Sequence, residues 1–189
     1  MLKKIALAIA LLTLSTQGNA RGFDVKLASE MAEFTYLTES STFGYGGADF
    51  GFGILFTEDS DYQVNGKLMI SGNPAGNNKS FQFGVGGKLM FVKLDAADEE
   101  VGALALAGQV RYIIPSSMPV AFRIGAAFAP SITSFSGADA YGEYEFAIEL
   151  EVTPSAQAYV GYRKMQYDFE GGGEFELDDS VHVGIKFEF

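Results

Sequence analysis

Ser180 and His182 stand two residues apart, so in an extended chain both side chains share one face. A serine beside a histidine, with a carboxylate to orient the imidazole, is the arrangement for nucleophilic attack on an ester. His182 is the only histidine and the chain has no cysteine, so a His-rich metal cluster, a thiolate zinc site and a Cys nucleophile are all excluded. A second group of candidates is larger. Glu143, Glu145, Glu149 and Glu151 also fall on one face of an extended chain, and Lys67, Lys88, Arg111, Arg123 and Lys186 occupy polar positions of other alternating stretches; the face of Arg163 stays open, because the pattern blurs after Tyr162. Four carboxylates opposite several cations can form an interior ion-pair network, and they can also line a narrow polar passage or a small-solute site. The acidic runs 57–61 and 95–100 lack the spacing of a calcium loop and read as solvated turns. The glycines of 84–87 complete neither a dinucleotide fingerprint nor a P-loop. No cofactor and no metal are expected.

The elements that must position these residues follow from periodicity. Apolar residues recur every second position, as in Phe50, Phe52, Ile54 and Phe56, or Tyr144, Phe146, Ile148, Leu150 and Val152. That is the period of a strand and not of a helix. Polar breakers separate the strands, and four of the five prolines lie in or beside these breaks; Pro130 marks a bulge or a strand end.

Residues 1–20 read as a cleaved secretory signal peptide. Lys3 and Lys4 precede the apolar run 5–14, and Gly18 and Ala20 offer the small residues of a cleavage site. Removing 1–20 takes away two lysines and moves the net charge from −11 to −13. That acidity excludes a nucleic-acid partner, which needs a basic footprint. No later segment is long and apolar enough for a membrane helix.

An exported all-β chain can be a soluble periplasmic sandwich or a transmembrane barrel. Strands of about 10–15 residues exceed the globular mode of ~5–6 and suit a tilted span. The polar face is crowded with Gly51, Gly53, Gly84, Gly86, Ala103, Ala105, Ala107, Gly125 and Ala127. Small residues suit the interior of a narrow barrel better than a solvated surface. The composition agrees: 17 Phe, 9 Tyr and 23 Gly, with Phe and Tyr expected toward lipid and its interfaces. The chain stops at Phe189, after an alternating strand that includes Phe187, which looks like the signal read by the outer-membrane barrel-assembly machinery. The expected fold is therefore an all-β, transmembrane, antiparallel up-and-down barrel over 21–189. Nine segments can be counted, and bacterial barrels are even-numbered. Eight strands, with 23–37 not spanning, suit the 169 residues of 21–189 better and are the expectation; ten is the alternative, if 23–37 is a hairpin about Ser29-Glu30.

The stretches 102–112 (GALALAGQVRY), 129–135 (APSITSF), 152–163 (VTPSAQAYVGYR) and 182–185 (HVGI) resemble the YfaZ-like outer-membrane protein precursors. The resemblance implies a Gram-negative outer-membrane barrel and brings no catalytic positions with it. The expected protein is a small, monomeric, non-catalytic outer-membrane barrel with a largely side-chain-filled polar lumen, structural or adhesive in role or a narrow passage. Its partners are membrane lipid, lipopolysaccharide and the assembly machinery. The alternatives are a barrel enzyme acting on lipid or lipopolysaccharide, and the soluble periplasmic binding module. Lipid A deacylases of the outer membrane use a Ser–His pair at the outer lipid surface, whereas only Ser180 of this pair lies toward that end; a luminal histidine is the stronger expectation.

Overall fold

Alternation at period two builds strands here because each strand must show one face to lipid and one to a crowded interior. The computed structural model describes residues 20–40, 48–74, 79–95, 99–169 and 172–189. The expected signal segment lies outside them except for Ala20, where the first strand begins.

The strands are β1 (Ala20–Ala28), β2 (Met31–Ser40), β3 (Ala48–Thr57), β4 (Tyr62–Gly72), β5 (Phe81–Leu94) and β6 (Glu99–Ile114). They continue as β7 (Val120–Ala129), β8 (Ser134–Phe135), β9 (Ala138–Thr153), β10 (Ala156–Phe169) and β11 (Glu174–Glu188). Neighbours pair antiparallel; β7 pairs with β9, and β1 closes the ring on β11. Ten strands form the closed barrel. The two-residue β8 lies outside the ring and pairs with Gly102 and Ala103 of β6, beyond the point where β7 has ended. Pro130 ends β7 and leads into a single 3-10 turn, Ser131–Thr133.

The eight-strand expectation is therefore corrected to ten, with the hairpin about Ser29-Glu30. This turn contains neither Gly nor Pro, so nothing in its composition separates β1 from β2. The sandwich alternative is excluded by the closed ring: there is one sheet, and its apolar face points outward.

Both chain ends lie at one end of the barrel, since Gly22 pairs with Glu188. We call this the terminal end and the other the loop end. Over most of the barrel the outer surface is apolar, carrying Phe52, Val85, Ile124, Phe128, Val181 and Val183, and Leu106 is 77% exposed. A water-facing surface does not carry a continuous apolar band of this extent. The inner positions between them are small: Gly51, Gly53, Gly84, Ala103, Ala105, Ala107 and Ala127 are all buried.

Near the loop end this polarity inverts. Lys93, Glu100, Lys164 and Glu176 stand on the outer surface, where Lys93 pairs with Glu100 at 3.7 Å and Lys164 with Glu176 at 2.8 Å. The alternate, inward positions there are apolar: Met31, Leu55, Met90, Val92, Leu94, Val101, Met165, Tyr167 and Leu177 form one buried cluster with Tyr141. Charges on the outside and an apolar interior are the arrangement of a barrel in water. The strands thus run on past the lipid, which is why β5, β6, β9, β10 and β11 have 14 to 16 residues where about 9–11 suffice to span.

This inversion corrects one expectation: the lumen is not polar throughout, because its loop end is filled by an apolar plug. Among the tyrosines, Tyr141 and Tyr167 are buried in that plug and Tyr159 in the charged layer below it. The run 57–61 is also not wholly solvated. Asp61 is buried and accepts the Asp95 backbone N–H at 2.9 Å, tying the β3–β4 turn to the start of the next loop at the same end.

Candidate functional site

Below the plug the interior is charged. β9 supplies the acidic row, because Glu143, Glu145 and Glu149 alternate with outward Tyr144, Phe146 and Ile148. Its neighbour β7 offers Gly125 opposite Glu145 and Ala121 opposite Glu149, so guanidinium groups have room to cross between them. Arg123 uses that room: its Nη1 donates to Glu145 Oε2 at 2.7 Å and its Nε to Glu149 Oε1 at 2.6 Å. Arg111 Nε donates to the other oxygen of Glu149 at 2.6 Å and its Nη1 to Gln82 Oε1 at 3.2 Å. Lys88 Nζ donates to Glu143 Oε2 at 2.7 Å, and Tyr141 donates to the same oxygen at 2.8 Å.

Three strands add residues that were outside the sequence-derived set. Lys26 of β1 donates to Glu145 Oε1 at 2.7 Å and lies 3.8 Å from Glu33 of β2. Arg163 of β10, whose side-chain face could not be assigned from sequence, is 1% exposed and joins Glu33 through Nη1 and Asp178 through Nε, the latter at 2.7 Å. Tyr159 donates to Asp24 at 2.6 Å. The result is an unbroken chain of alternating charge, Asp178–Arg163–Glu33–Lys26–Glu145–Arg123–Glu149–Arg111, running from beneath the plug toward the terminal end. Each charge has a partner of opposite sign, the condition under which ions persist out of water.

A signal for the missing residues was present. Inward positions are even in β1 (Asp24, Lys26) and odd in β2 (Glu33, Thr35), and this change of parity marks a two-residue turn. In β10 the inward set Tyr159, Gly161, Arg163, Met165 and Tyr167 keeps its parity throughout. What changes after Tyr162 is the sense of the polarity.

The remaining candidates are placed as follows. Glu151 is half-buried near the terminal end and makes no ion pair among the described residues. Lys186 pairs with Glu188 at 2.5 Å and lines the lumen. Phe187 and Phe189 are exposed at the terminal end. Ser180 donates its hydroxyl to Asp178, and His182 is fully buried with Nε2 3.2 Å from Glu145 Oε1. Among the described residues no hydrogen bond joins Ser180 to His182, so the two side chains are each turned to a different carboxylate. Room for His182 comes from Gly161, its register partner on β10.

Gly184 plays the same part for Tyr159, since a Cβ there would overlap the phenol ring. Gly184→Leu is expected to expel Tyr159, break its bond to Asp24 and cost about 1–3 kcal/mol. The check is the urea midpoint of the refolded barrel, with Gly173→Leu, in open surroundings at the loop end, leaving it unchanged.

The charged layer opens into a cavity of about 530 Å³ that extends from Glu143 and Arg163 to Gln82, Ser71 and Glu188 near the terminal end. Its wall also carries the amides of Asn65, Gln109 and Gln157 and the hydroxyl of Thr35. At the other end the apolar plug closes it.

A closed antiparallel ring, apolar outside at membrane height and charged within, defines a transmembrane β-barrel of the outer-membrane type. The chain belongs to the YfaZ precursor family, whose model matches residues 2–189. Among solved structures, the NanC porin superposes with a TM-score of 0.44 at 15% identity, over 88% of this chain and all of that one. The outer membrane channel DcaP of Acinetobacter baumannii superposes with a TM-score of 0.41 at 12% identity, over 92% of this chain and 56% of that one. A comparison with curated proteins finds no match.

Proposed function

We propose that this protein is a monomeric, non-catalytic barrel of the bacterial outer membrane, exported by its N-terminal signal and inserted through the C-terminal Phe187–Phe189 strand end. It is sealed against through-passage at its loop end and holds a polar cavity entered from its terminal end. With Phe189 on the periplasmic side, the plug lies in the part of the barrel that projects outward and the cavity faces the periplasm.

One observation carries this reading: the apolar cluster of Met90, Val92, Leu94, Val101, Tyr141, Met165 and Tyr167 fills the lumen across its width at the loop end. Packed apolar side chains leave no path for a hydrated ion. The narrow-passage reading is therefore the weaker of the two. The enzyme reading is weaker still, because Ser180 donates its hydroxyl to Asp178 and, among the described residues, no hydrogen bond joins it to the buried His182.

The test is conductance. The refolded protein in a planar bilayer is expected to insert, as judged by heat-modifiable gel mobility in reconstituted vesicles, and to pass no stepwise current. Discrete current steps from wild-type protein would falsify the sealed barrel. A lipid A profile altered by the wild-type protein but not by His182→Ala would instead restore the enzyme.

A further inference from the structure

Seven cations line the cavity: Lys26, Lys67, Lys88, Arg111, Arg123, Arg163 and Lys186. Six of them have a carboxylate within 4.0 Å. Lys67 is the exception, with neither an ion pair nor a hydrogen bond to any described residue. Its surroundings explain why. On one side its register partner is Gly51, which has no side chain, and on the other it is Lys88, a like charge already committed to Glu143. Glu143 is taken by Lys88 and Tyr141 and Glu145 by Lys26 and Arg123, and Asp49, diagonal to Lys67 on β3, lines the cavity but forms no ion pair with it. Asp24, elsewhere on the wall, is held by Tyr159.

An ammonium at membrane height with no carboxylate within ion-pair distance is costly to keep, and such a group marks a functional position. A closer counter-charge can arrive from outside, since the cavity gives it a way in from the terminal end. We propose that Lys67 is the anchor of an oxyanion site, binding a carboxylate or phosphate group of a small polar solute. Gln109 on β6, two strands away, and Gln157 on β10, across the ring, supply amide groups for the rest of the molecule, while the Asn65 amide beside Lys67 already donates to Glu33 at 3.4 Å. The volume falls within the ~300–1,000 Å³ of ordinary small-molecule pockets. Carboxylate and phosphate share the recognising chemistry, a compact negative charge on oxygens that accept from a lysine ammonium. The inference rests on the cavity of the sealed-barrel reading but not on its being sealed.

The experiment uses the full mature barrel refolded in detergent micelles. Its lysines are reductively methylated with 13C, and the Lys67 signal is identified by its loss in Lys67→Gln. Sodium acetate, inorganic phosphate and glycerol are titrated separately. The Lys67 signal is expected to shift and saturate with acetate or phosphate, and whichever saturates at the lower concentration names the preferred oxyanion; glycerol leaves it in place. In calorimetric titrations of unmethylated protein, Lys67→Gln is expected to weaken binding at least tenfold and Lys79→Gln to leave it unchanged. A Lys67 signal that moves linearly with salt in all titrations, or equal binding by Lys67→Gln, overturns the site. If Lys67→Gln fails to refold, the signals can be assigned from the other lysine variants and the wild-type titration still decides. Current steps with a saturating Lys67 signal would remove the seal and leave the oxyanion site; no current with no saturation would do the reverse.

Discussion

Arg163→Ala will cost the barrel about 3–5 kcal/mol, the scale for removing one partner of a buried ion pair. Arg163 is the single cation between Glu33 and Asp178, and the Asp178 carboxylate also accepts from Ser180. Without the guanidinium, Asp178 loses its only ion pair among the described residues, and Glu33 keeps Lys26 only at 3.8 Å. Two carboxylates, both largely buried beneath the apolar plug, then face each other with Lys26 at 3.8 Å from Glu33 as the nearest cation. The control separates lost charge balance from lost volume. Arg163→Met combined with Glu33→Gln and Asp178→Asn removes all three charges while keeping most of the bulk, and is expected to recover most of the stability. Both are read as urea midpoints of protein refolded into vesicles. A single Arg163→Ala variant that unfolds with the wild-type midpoint would show that the triad carries no stability.

The second large effect is on permeation. Tyr141 and Tyr167 pack with ring centroids 4.7 Å apart in the middle of the plug, and Tyr167 donates to Gln63 at 2.8 Å. Truncating both to Ala removes the widest side chains of the plug and leaves the Gln63 amide to water. The space opens onto Lys88 and Glu143 directly beneath. The double variant is expected to convert a silent barrel into one with discrete current steps, because the lumen below is already polar and hydrated ions need only the apolar layer removed. Each truncation costs stability on the ~3–5 kcal/mol scale of large-to-Ala changes in a core, so recordings belong in low urea with folding checked by heat-modifiable mobility. Tyr144→Ala, on the outer face of the same strand, should fold and stay silent. A double variant that folds and passes no current places the barrier elsewhere.

Much of this was legible in the residue order, and the failures have a common cause. The alternation along 144–152 placed Glu143, Glu145 and Glu149 on one inward row, and Lys88, Arg111 and Arg123 lay on the complementary faces of their own strands. What the order could not supply was partnership across the ring. Glu33 and Arg163 are 130 residues apart, and Lys26 and Glu145 are separated by 119. Such pairs exist only once β1 has closed on β11. The strand count failed at Ser29-Glu30 because a tight turn with ordinary residues leaves no compositional mark, only a change of parity. The plug escaped notice for a different reason. One rule, apolar outward, was applied along whole strands, yet the rule reverses where a strand leaves the lipid. Val92, Leu94, Met165 and Tyr167 point inward, while Lys93 and Lys164 point out.

The residue order by itself determined that the chain forms long alternating strands, that its apolar side faces outward along most of their length, and that small and charged residues share the inside. These are properties of single strands, written in a period of two that any local stretch displays. Tertiary structure alone decided the closure at ten strands, the pairing that leaves Lys67 without an ion pair among the described residues while the other cavity cations have one, and the apolar layer at one end of the lumen. Those depend on register and on where the membrane stops, and both are set by contacts between strands distant in sequence and by the solvent around them.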